Sequence, residues 1–287
     1  MRRLLGLVLV ALVAAVCLAP SAPASRRQAS WTALLPARQC PQGRFACVDR
    51  VAHALTVHVR QLGCSHDAVF AQAYVDITNA IGGAVRRAGF FDDPHYIAHF
   101  DAAFAAAYGH AWDAWTTGRG TLAPAWRTAF QAAAQHRVTG TGDLLLAINA
   151  HIGRDEAFAL ARVGLTGAGG RSHKPDQDRV DSVLEAAMRP MLDQLAARYD
   201  PTIGQPNPPT SLDDVATYQF IAALRQRAWR LAQALVAARG NPVAEAAVRR
   251  SIEAQAQQSA MVIEATTAYP PGSHAGAARD AYCAAHA

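Results

Sequence analysis

The sequence contains 287 residues, of which 51% are hydrophobic and 17% are charged. This composition excludes an intrinsically disordered, collagen-like or coiled-coil protein and is sufficient for a large packed core. The formal net charge is +5. Because the basic residues are scattered along the chain, this charge does not indicate nucleic-acid binding.

The first residues have the composition of a cleaved export signal. An arginine pair precedes an apolar run, and Ala22-Pro23-Ala24 places small residues where a signal peptidase reads. We expect residues 1–24 to be removed, leaving a single domain over residues 25–287. No later apolar stretch of about 18 residues lacks charge, so we expect no transmembrane helix and a secreted or extracytoplasmic protein.

Four cysteines follow the signal, namely Cys40, Cys47, Cys64 and Cys283. An even number in an exported chain indicates two disulfides rather than a metal cluster. The sequence allows three pairings. We favour Cys40 with Cys47 and Cys64 with Cys283, because the second pair would close a long loop and lower the entropy of the unfolded chain.

The remaining sequence is rich in alanine, and its apolar residues recur at helical spacing without runs of alternating β-branched residues. It predicts an all-α fold, a single-domain bundle of about eight helices. Asp93, Asn241 and Ser211 are predicted to cap helix starts. The predicted helices span residues 45–61, 65–88, 94–116, 123–137, 142–164, 176–199, 212–239 and 242–268.

Three segments interrupt the helical pattern. Residues 164–175 and 200–210 are rich in glycine and proline, which identifies them as linkers. Residues 269–277 form an irregular tail, which we expect to wrap back over the domain if Cys283 is bridged.

His151 and Asp155 form the most informative pair. They lie four residues apart in the otherwise apolar helix DLLLAINAHIGRDEAFAL, so they share one face. An imidazole and a carboxylate at this spacing can bind one metal ion, or the aspartate can orient the histidine as a general base. The alternative is a buried histidine that is paired with its own aspartate for solvation.

The predicted helix at residues 94–116 carries a stripe of histidines opposite an apolar face. His110 and Asp113 lie one turn apart, which makes them a candidate metal ligand and a candidate proton acceptor. For His95 and His99, a solvated face is the simpler interpretation.

Asp76 interrupts another apolar helix. A buried carboxylate needs a partner, so Asp76 would ligate a metal or form a salt bridge with an arginine.

The linker sequence RSHKPDQDRVD adds further polar candidates. His173 and Asp178 are able to complete a metal site, and Arg171 is able to hold an anionic substrate group. The alternative for the acidic residues is helix capping on a solvated loop.

Several common enzyme motifs are missing from the sequence. It has no Glu-x-x-His, His-Glu-x-x-His, Gly-x-Ser-x-Gly, P-loop or dinucleotide fingerprint. These absences disfavour carboxylate-bridged di-iron oxidases and the common protease, esterase and nucleotide-dependent classes.

The order of these candidates resembles the zinc-dependent phospholipase C and P1-type nuclease group, which are exported all-α enzymes with zinc clusters built from His and Asp. The closest match is His151-Ile-Gly-Arg-Asp155, a helical His-x-x-x-Asp pair. The resemblance implies that Asp76 is a bridging carboxylate. It implies the ligands His110, His151, Asp155, His173 and Asp178.

The chain departs from that group in two ways. No histidine follows the His-x-x-x-Asp pair closely, and Trp31 would be an amino-terminal ligand only if processing ended after Ser30. These departures indicate one or two metal ions, or none, rather than three. The segment NAHIGRDEAFAL also resembles a NAHIxxDxxxAL-type signature of an uncharacterised family of exported all-α bacterial proteins, which implies no activity.

The leading hypothesis is a secreted metal-dependent hydrolase acting on a phosphoester, such as a phospholipid or a nucleotide. A divalent metal, zinc in the group that the chain resembles, would lower the pKa of bound water. Asp76 or Asp113 would ligate the metal or accept a proton, and Arg171 would offset developing negative charge.

The alternative hypothesis is a non-catalytic exported helical protein that binds an apolar ligand or a protein partner. The polar pairs would then be buried structural networks. Aromatic side chains would matter more than the histidines, in particular Tyr74, Phe104, Trp112, Trp126 and Trp229.

Overall fold

The computed structural model describes residues 30–31, 43–205 and 214–286. The expected export signal lies outside these ranges, as do Cys40 and the expected helix cap Ser211. In the described ranges, no helix is both long enough and apolar enough to span a membrane.

The predicted all-α fold is confirmed. The described residues form no strand, and two isolated bridges are the only β-type pairs among them, joining Val138 to Ala268 and Thr166 to Ser172. The α-helices are α1 (Ala46–Leu62), α2 (Asp67–Val85), α3 (Pro94–Thr117), α4 (Pro124–Ala134), α5 (Gly140–Ala150), α6 (Glu156–Val163), α7 (Lys174–Arg198), α8 (Asp214–Ala237), α9 (Pro242–Thr267) and α10 (Ala275–His286).

Two of the predicted caps are present. The side chain of Asp93 accepts a hydrogen bond from the backbone N–H of Tyr96 at 2.9 Å, and Asn241 accepts one from Ala244 at 3.1 Å. In both helices proline follows the cap, where its missing N–H costs no helical hydrogen bond. These caps fix where α3 and α9 begin.

The predicted helix at 142–164 is interrupted in its middle. Residues His151–Asp155 form a π-helical turn that joins α5 to α6. Such turns are rare and occur often at functional sites. The turn therefore draws attention to the same two residues as the sequence pattern.

Trp31 is buried against α3 although it precedes the first described helix. Its side chain is 2% exposed and makes edge contacts with the rings of His58 and Tyr108. The contact requires glycine at position 109, because a Cβ built there would lie 1.5 Å from the indole ring.

We therefore expect Gly109→Ala to displace Trp31 and to lower the free energy of unfolding by about 1–3 kcal/mol, the usual cost of overpacking. Chemical unfolding and the tryptophan emission maximum would measure both effects. Gly83→Ala, at a helix position with open space around the added methyl group, is the control. An unchanged emission maximum in Gly109→Ala would contradict the expected displacement.

The expected pairing of Cys64 with Cys283 is confirmed, with their Cα atoms 5.8 Å apart. Cys47 is also disulfide-bonded, and its expected partner lies outside the described residues. The tail is irregular only at its start, because α10 begins at Ala275. Tyr282 in α10 donates a hydrogen bond to the Ala197 carbonyl at 3.1 Å, so the tail packs back on the domain as expected.

Candidate functional site

His151 lies in an aromatic environment at the centre of the molecule. Its side chain is almost fully buried, and its ring stacks on Phe104 with centroids 3.6 Å apart and an interplanar angle of 5°. Tyr74 and Phe70 contact the same ring at centroid distances of 4.8 and 5.7 Å. Burial lowers the pKa of His151, so the imidazole is neutral at neutral pH.

Asp155 lies beside His151 but has other hydrogen-bonding partners. It accepts a hydrogen bond from Trp126 Nε1 at 2.8 Å and pairs with the guanidinium of Arg154. Its Oδ2 lies 3.6 Å from His151 Nδ1, which is beyond hydrogen-bonding distance. Burial opposes the ionisation of Asp155, yet the charge of Arg154 and the hydrogen bond from Trp126 hold its pKa below the usual value. Asp155 is therefore an ionised, buried carboxylate with its own cation.

His151 forms part of the wall of a partly open cavity of about 90 Å³. The cavity lies among α2, α3, α5, the π-helical turn, α7 and α8. Most of its lining is aliphatic or aromatic, and the polar exceptions are few. The apolar lining includes Phe70, Ala73, Ile77, Ile81, Ile97, Phe100, Phe104, Ile148, Ile152, Val180, Leu184, Met188, Met191 and Ile221.

Polar atoms of three residues in the cavity wall lack partners. Tyr74 Oη, Asp101 Oδ2 and both ring nitrogens of His151 are buried and form no hydrogen bond within the described residues. Burial alone raises the pKa of Asp101 to about 8. Buried polar groups in native proteins almost always have partners, so these atoms are hydrogen-bonding groups of the cavity wall that the described protein residues leave unsatisfied.

A fourth polar residue, Arg225, lies in the cavity wall, and all of its guanidinium nitrogens have hydrogen-bond partners. It donates to Glu156 Oε1 at 2.7 Å, to Asp181 Oδ1 at 2.5 Å and to the Gln177 carbonyl at 2.7 Å. Burial raises the pKa of Glu156 to about 7 although Arg225 lies beside it. This network joins α6, α7 and α8 around the cavity.

The other candidates from the sequence lie apart from the cavity wall. Asp76 accepts a hydrogen bond from Gln72 at 3.0 Å, and burial raises its pKa to about 6. Asp113 accepts a hydrogen bond from the backbone N–H of Trp31 at 2.7 Å.

The linker candidates have local partners. His173 stacks on Tyr96, with centroids 3.6 Å apart. Asp178 pairs with Lys174 one turn before it in α7, and Arg171 is exposed.

The structure brings two of the candidates together at a second, open cleft of about 470 Å³. His110 and Asp155 both line it. Its other charged residues are mainly basic, and Arg154 crosses it to Glu253, with a distance of 2.9 Å from Arg154 Nε to Glu253 Oε1. The charged lining residues are Arg154, Arg162, Arg239, Arg249, Glu245 and Glu253.

The five predicted metal ligands are not gathered at one point. In the part of the chain that the structure describes, one set of three His, Cys, Asp or Glu side chains has its potential ligand atoms within 4.8 Å of one another: His66, His136 and Asp280. None of the predicted ligands belongs to that set.

Asp101 is the residue of the cavity that the sequence analysis missed. Its position in α3 carried a usable signal, because it lies four residues after Ile97 and three before Phe104, on the apolar face of the helix. A carboxylate on such a face has to be buried, and a buried carboxylate without a cation indicates a ligand or a neutral acid.

Together these features define an all-α protein with an apolar cavity whose wall contains a few buried polar groups. The chain belongs to a family of unknown function (DUF5995), whose model matches residues 48–266. These residues include every helix that lines the cavity. No curated protein and no solved structure matches the chain.

Proposed function

We propose that this protein binds a small apolar molecule that carries one hydrogen-bonding or cationic group. The observation that carries the proposal is the set of unpartnered buried atoms of Tyr74, Asp101 and His151 around one apolar cavity. An apolar pocket with a few convergent polar groups is the usual form of a small-molecule site. The cavity supports the binding hypothesis more directly than the hydrolase hypothesis, because Asp155 already pairs with the partly exposed guanidinium of Arg154.

The size of the cavity limits the ligand. An apolar cavity of about 150 Å³ holds benzene, and this cavity measures about 90 Å³. A short aliphatic chain fits without rearrangement. Met188 and Met191 line the cavity, and their flexible side chains would allow a longer chain to enter.

Asp101 favours an amine as the polar group of the ligand. Its carboxyl is buried without a cation, and its pKa of about 8 keeps it largely protonated at neutral pH. An ammonium group would pair with the ionised carboxylate and satisfy it. A hydroxyl group would instead form a hydrogen bond between uncharged groups, with the protonated carboxyl group of Asp101 as its partner.

We expect n-alkylamines to bind more tightly than n-alcohols of the same chain length, by about tenfold or more, since a hydrogen bond to a charged group contributes about 1.5–3 kcal/mol. Calorimetric titration of the butyl to octyl members of both series measures this difference. Asp101→Asn should remove the preference for the amine and leave alcohol binding nearly unchanged. Asp193→Asn, an exposed carboxylate on α7, is the matched control.

The pH dependence gives an independent check. Free Asp101 must release a proton before it pairs with an ammonium group, so amine affinity should rise about tenfold per pH unit below pH 8 and level off above it. Tyr74, His151 and Arg225 face the same cavity; Tyr74 and Arg225 keep one charge state across this range, and burial lowers the pKa of His151. Alcohol affinity should not rise with pH.

A cavity-filling variant tests whether binding occurs inside the protein. Ala73 lines the cavity, so Ala73→Leu should abolish binding of both series. Ala80→Leu, on the same helix but outside the cavity, should retain it. Retained binding in Ala73→Leu, or no binding of any probe to the parent protein, would refute the proposed function.

A second candidate function is metal-dependent phosphoester hydrolysis at the cleft between His110 and Asp155. The arginines that line this cleft favour it, because they would attract a phosphate group. Under this function, His110→Ala should remove both a bound divalent metal and hydrolysis of bis(p-nitrophenyl) phosphate while the helical content is kept. Metal content unchanged by His110→Ala would exclude His110 as a ligand.

We propose that the protein acts outside the cytoplasm. The disulfide between Cys64 and Cys283 supports this location, since such bonds persist in oxidising compartments. Sequencing the amino terminus of the exported protein would test cleavage after Ala24.

A further inference from the structure

A cluster of three side chains lies at the end of the molecule where the disulfide joins α10 to the start of α2. His66 Nε2 lies 3.2 Å from Asp280 Oδ1, and His136 Nδ1 lies 2.8 Å from Asp280 Oδ2. The two imidazole rings have centroids 4.3 Å apart. These residues are far apart in the sequence, and the fold brings all three together.

We propose that His66, His136 and Asp280 form a binding site for a divalent transition-metal ion of the zinc type. Tetrahedral zinc with bonds of about 2.0–2.1 Å holds its ligand atoms about 3.3 Å apart. The two separations that involve Asp280, 3.2 and 2.8 Å, are near that value, and all three ligand atoms lie within 4.8 Å of one another. Ions that prefer oxygen ligands alone, such as magnesium and calcium, fit two imidazoles poorly.

A fourth residue prepares His66 for this role. Asp143, almost fully buried, lies 2.6 Å from His66 Nδ1. When Nδ1 donates its proton to this carboxylate, the lone pair of Nε2 faces the lone pairs of the Asp280 carboxylate, and the two repel each other. A cation bound between them would remove this repulsion. Carboxylates commonly hold a metal-binding histidine in this way.

The backbone holds the other two ligands in place. His136 is the one non-glycine residue of the described chain with a positive φ, 51°, a conformation that residues outside glycine adopt rarely. Asp280 lies three residues before Cys283, and its neighbour Arg279 donates to the Cys64 carbonyl at 2.7 Å. The disulfide and this hydrogen bond fix Asp280 against His66.

Exposure of the ligands fits an ion that exchanges with solvent. The His66 side chain is fully buried, whereas those of His136 and Asp280 are 50% and 38% exposed. Three protein ligands with one side open leave a coordination position for water. Arg279 Nη1 also contacts Asp280 Oδ1, the oxygen that faces His66, at 3.2 Å, whereas Oδ2 faces His136.

Metal titration of the full exported chain tests the proposal. The protein would be purified without an affinity tag, stripped with a chelator and titrated with zinc, and then with cobalt, whose visible spectrum reports coordination by nitrogen and oxygen. We expect one zinc per chain. His136→Ala and Asp280→Asn should weaken binding by at least about tenfold. Both side chains are partly exposed, so circular dichroism should show a retained fold.

Two control variants separate this site from the alternatives. His274→Ala removes an exposed histidine near α10 and should leave zinc affinity unchanged. His110→Ala should also leave it unchanged, which distinguishes this site from the metal-dependent hydrolase proposed at the open cleft. The proposal is overturned if the parent chain cannot be loaded with zinc, or if zinc is lost in His110→Ala and retained in His136→Ala and Asp280→Asn. It is independent of ligand binding in the central cavity.

Discussion

Replacing Arg225 with leucine is expected to lower the free energy of unfolding by about 3–5 kcal/mol at neutral pH, because it leaves buried acidic partners without their cation. The Arg225 guanidinium donates hydrogen bonds from its three nitrogens to Asp181, to Glu156 and to the Gln177 carbonyl. Urea unfolding of parent and variant measures the loss.

The loss should depend on pH in a definite direction. Burial raises the pKa of Glu156 to about 7 in the folded protein, so its carboxyl is mostly neutral below that pH. A neutral Glu156 needs no cation, and the difference in stability between parent and Arg225→Leu should therefore shrink as the pH falls from 8 to 6. Asp181 also loses its cation in Arg225→Leu, so part of the loss of stability remains over this pH range.

Two variants control for the change of residue type. Arg230→Leu removes an exposed arginine from the same helix and should change stability by no more than about 0.5 kcal/mol. Adding Glu156→Gln to Arg225→Leu should recover part of the loss, because the two residues interact directly. A loss below about 1 kcal/mol in Arg225→Leu would show that the ion pair contributes little.

Removing the disulfide with Cys64→Ser and Cys283→Ser is expected to lower the free energy of unfolding by about 2–5 kcal/mol. The bond joins residues 219 positions apart, so it restricts the unfolded chain strongly. Equilibrium unfolding under oxidising conditions measures the effect while the bond at Cys47 is retained.

The same double variant should loosen α10 selectively. Hydrogen exchange is expected to increase in residues 275–286 before it increases in the central helices, because the contacts of Arg279, Asp280 and Tyr282 would then hold α10 without a covalent bond. Reduction of the parent protein is not an equivalent experiment, since it also breaks the bond at Cys47. An unchanged unfolding midpoint in the double variant would contradict the prediction.

Most of the fold could be predicted from local sequence. Apolar residues at helical spacing place the helices, and short-range chemistry sets their ends, as the Asp93 and Asn241 caps show. Helix α10 was missed because its sequence is short and follows a run with proline and glycine, which indicates an irregular tail.

The candidate sites were harder to predict, because their residues meet only through tertiary packing. His151 and Asp155 were found from their spacing, but the rings that surround His151 come from α2 and α3. His66 and Asp280 are 214 positions apart, and no periodic pattern links them. A sequence shows which side chains share a helix face and not which faces pack together.

The π-helical turn at His151–Asp155 also adds a residue to its helix without changing the direction in which the following side chains point. A π-helical turn contains one residue more than the α-helical turn it replaces. Deleting one residue there would therefore restore α-helical geometry and leave α6 at about the same rotation about its axis. Glu156 would still face Arg225, although it would lie one position closer to His151 in the sequence. Homologous chains in which the turn is shortened by one residue should therefore carry their buried acid one position closer to the histidine.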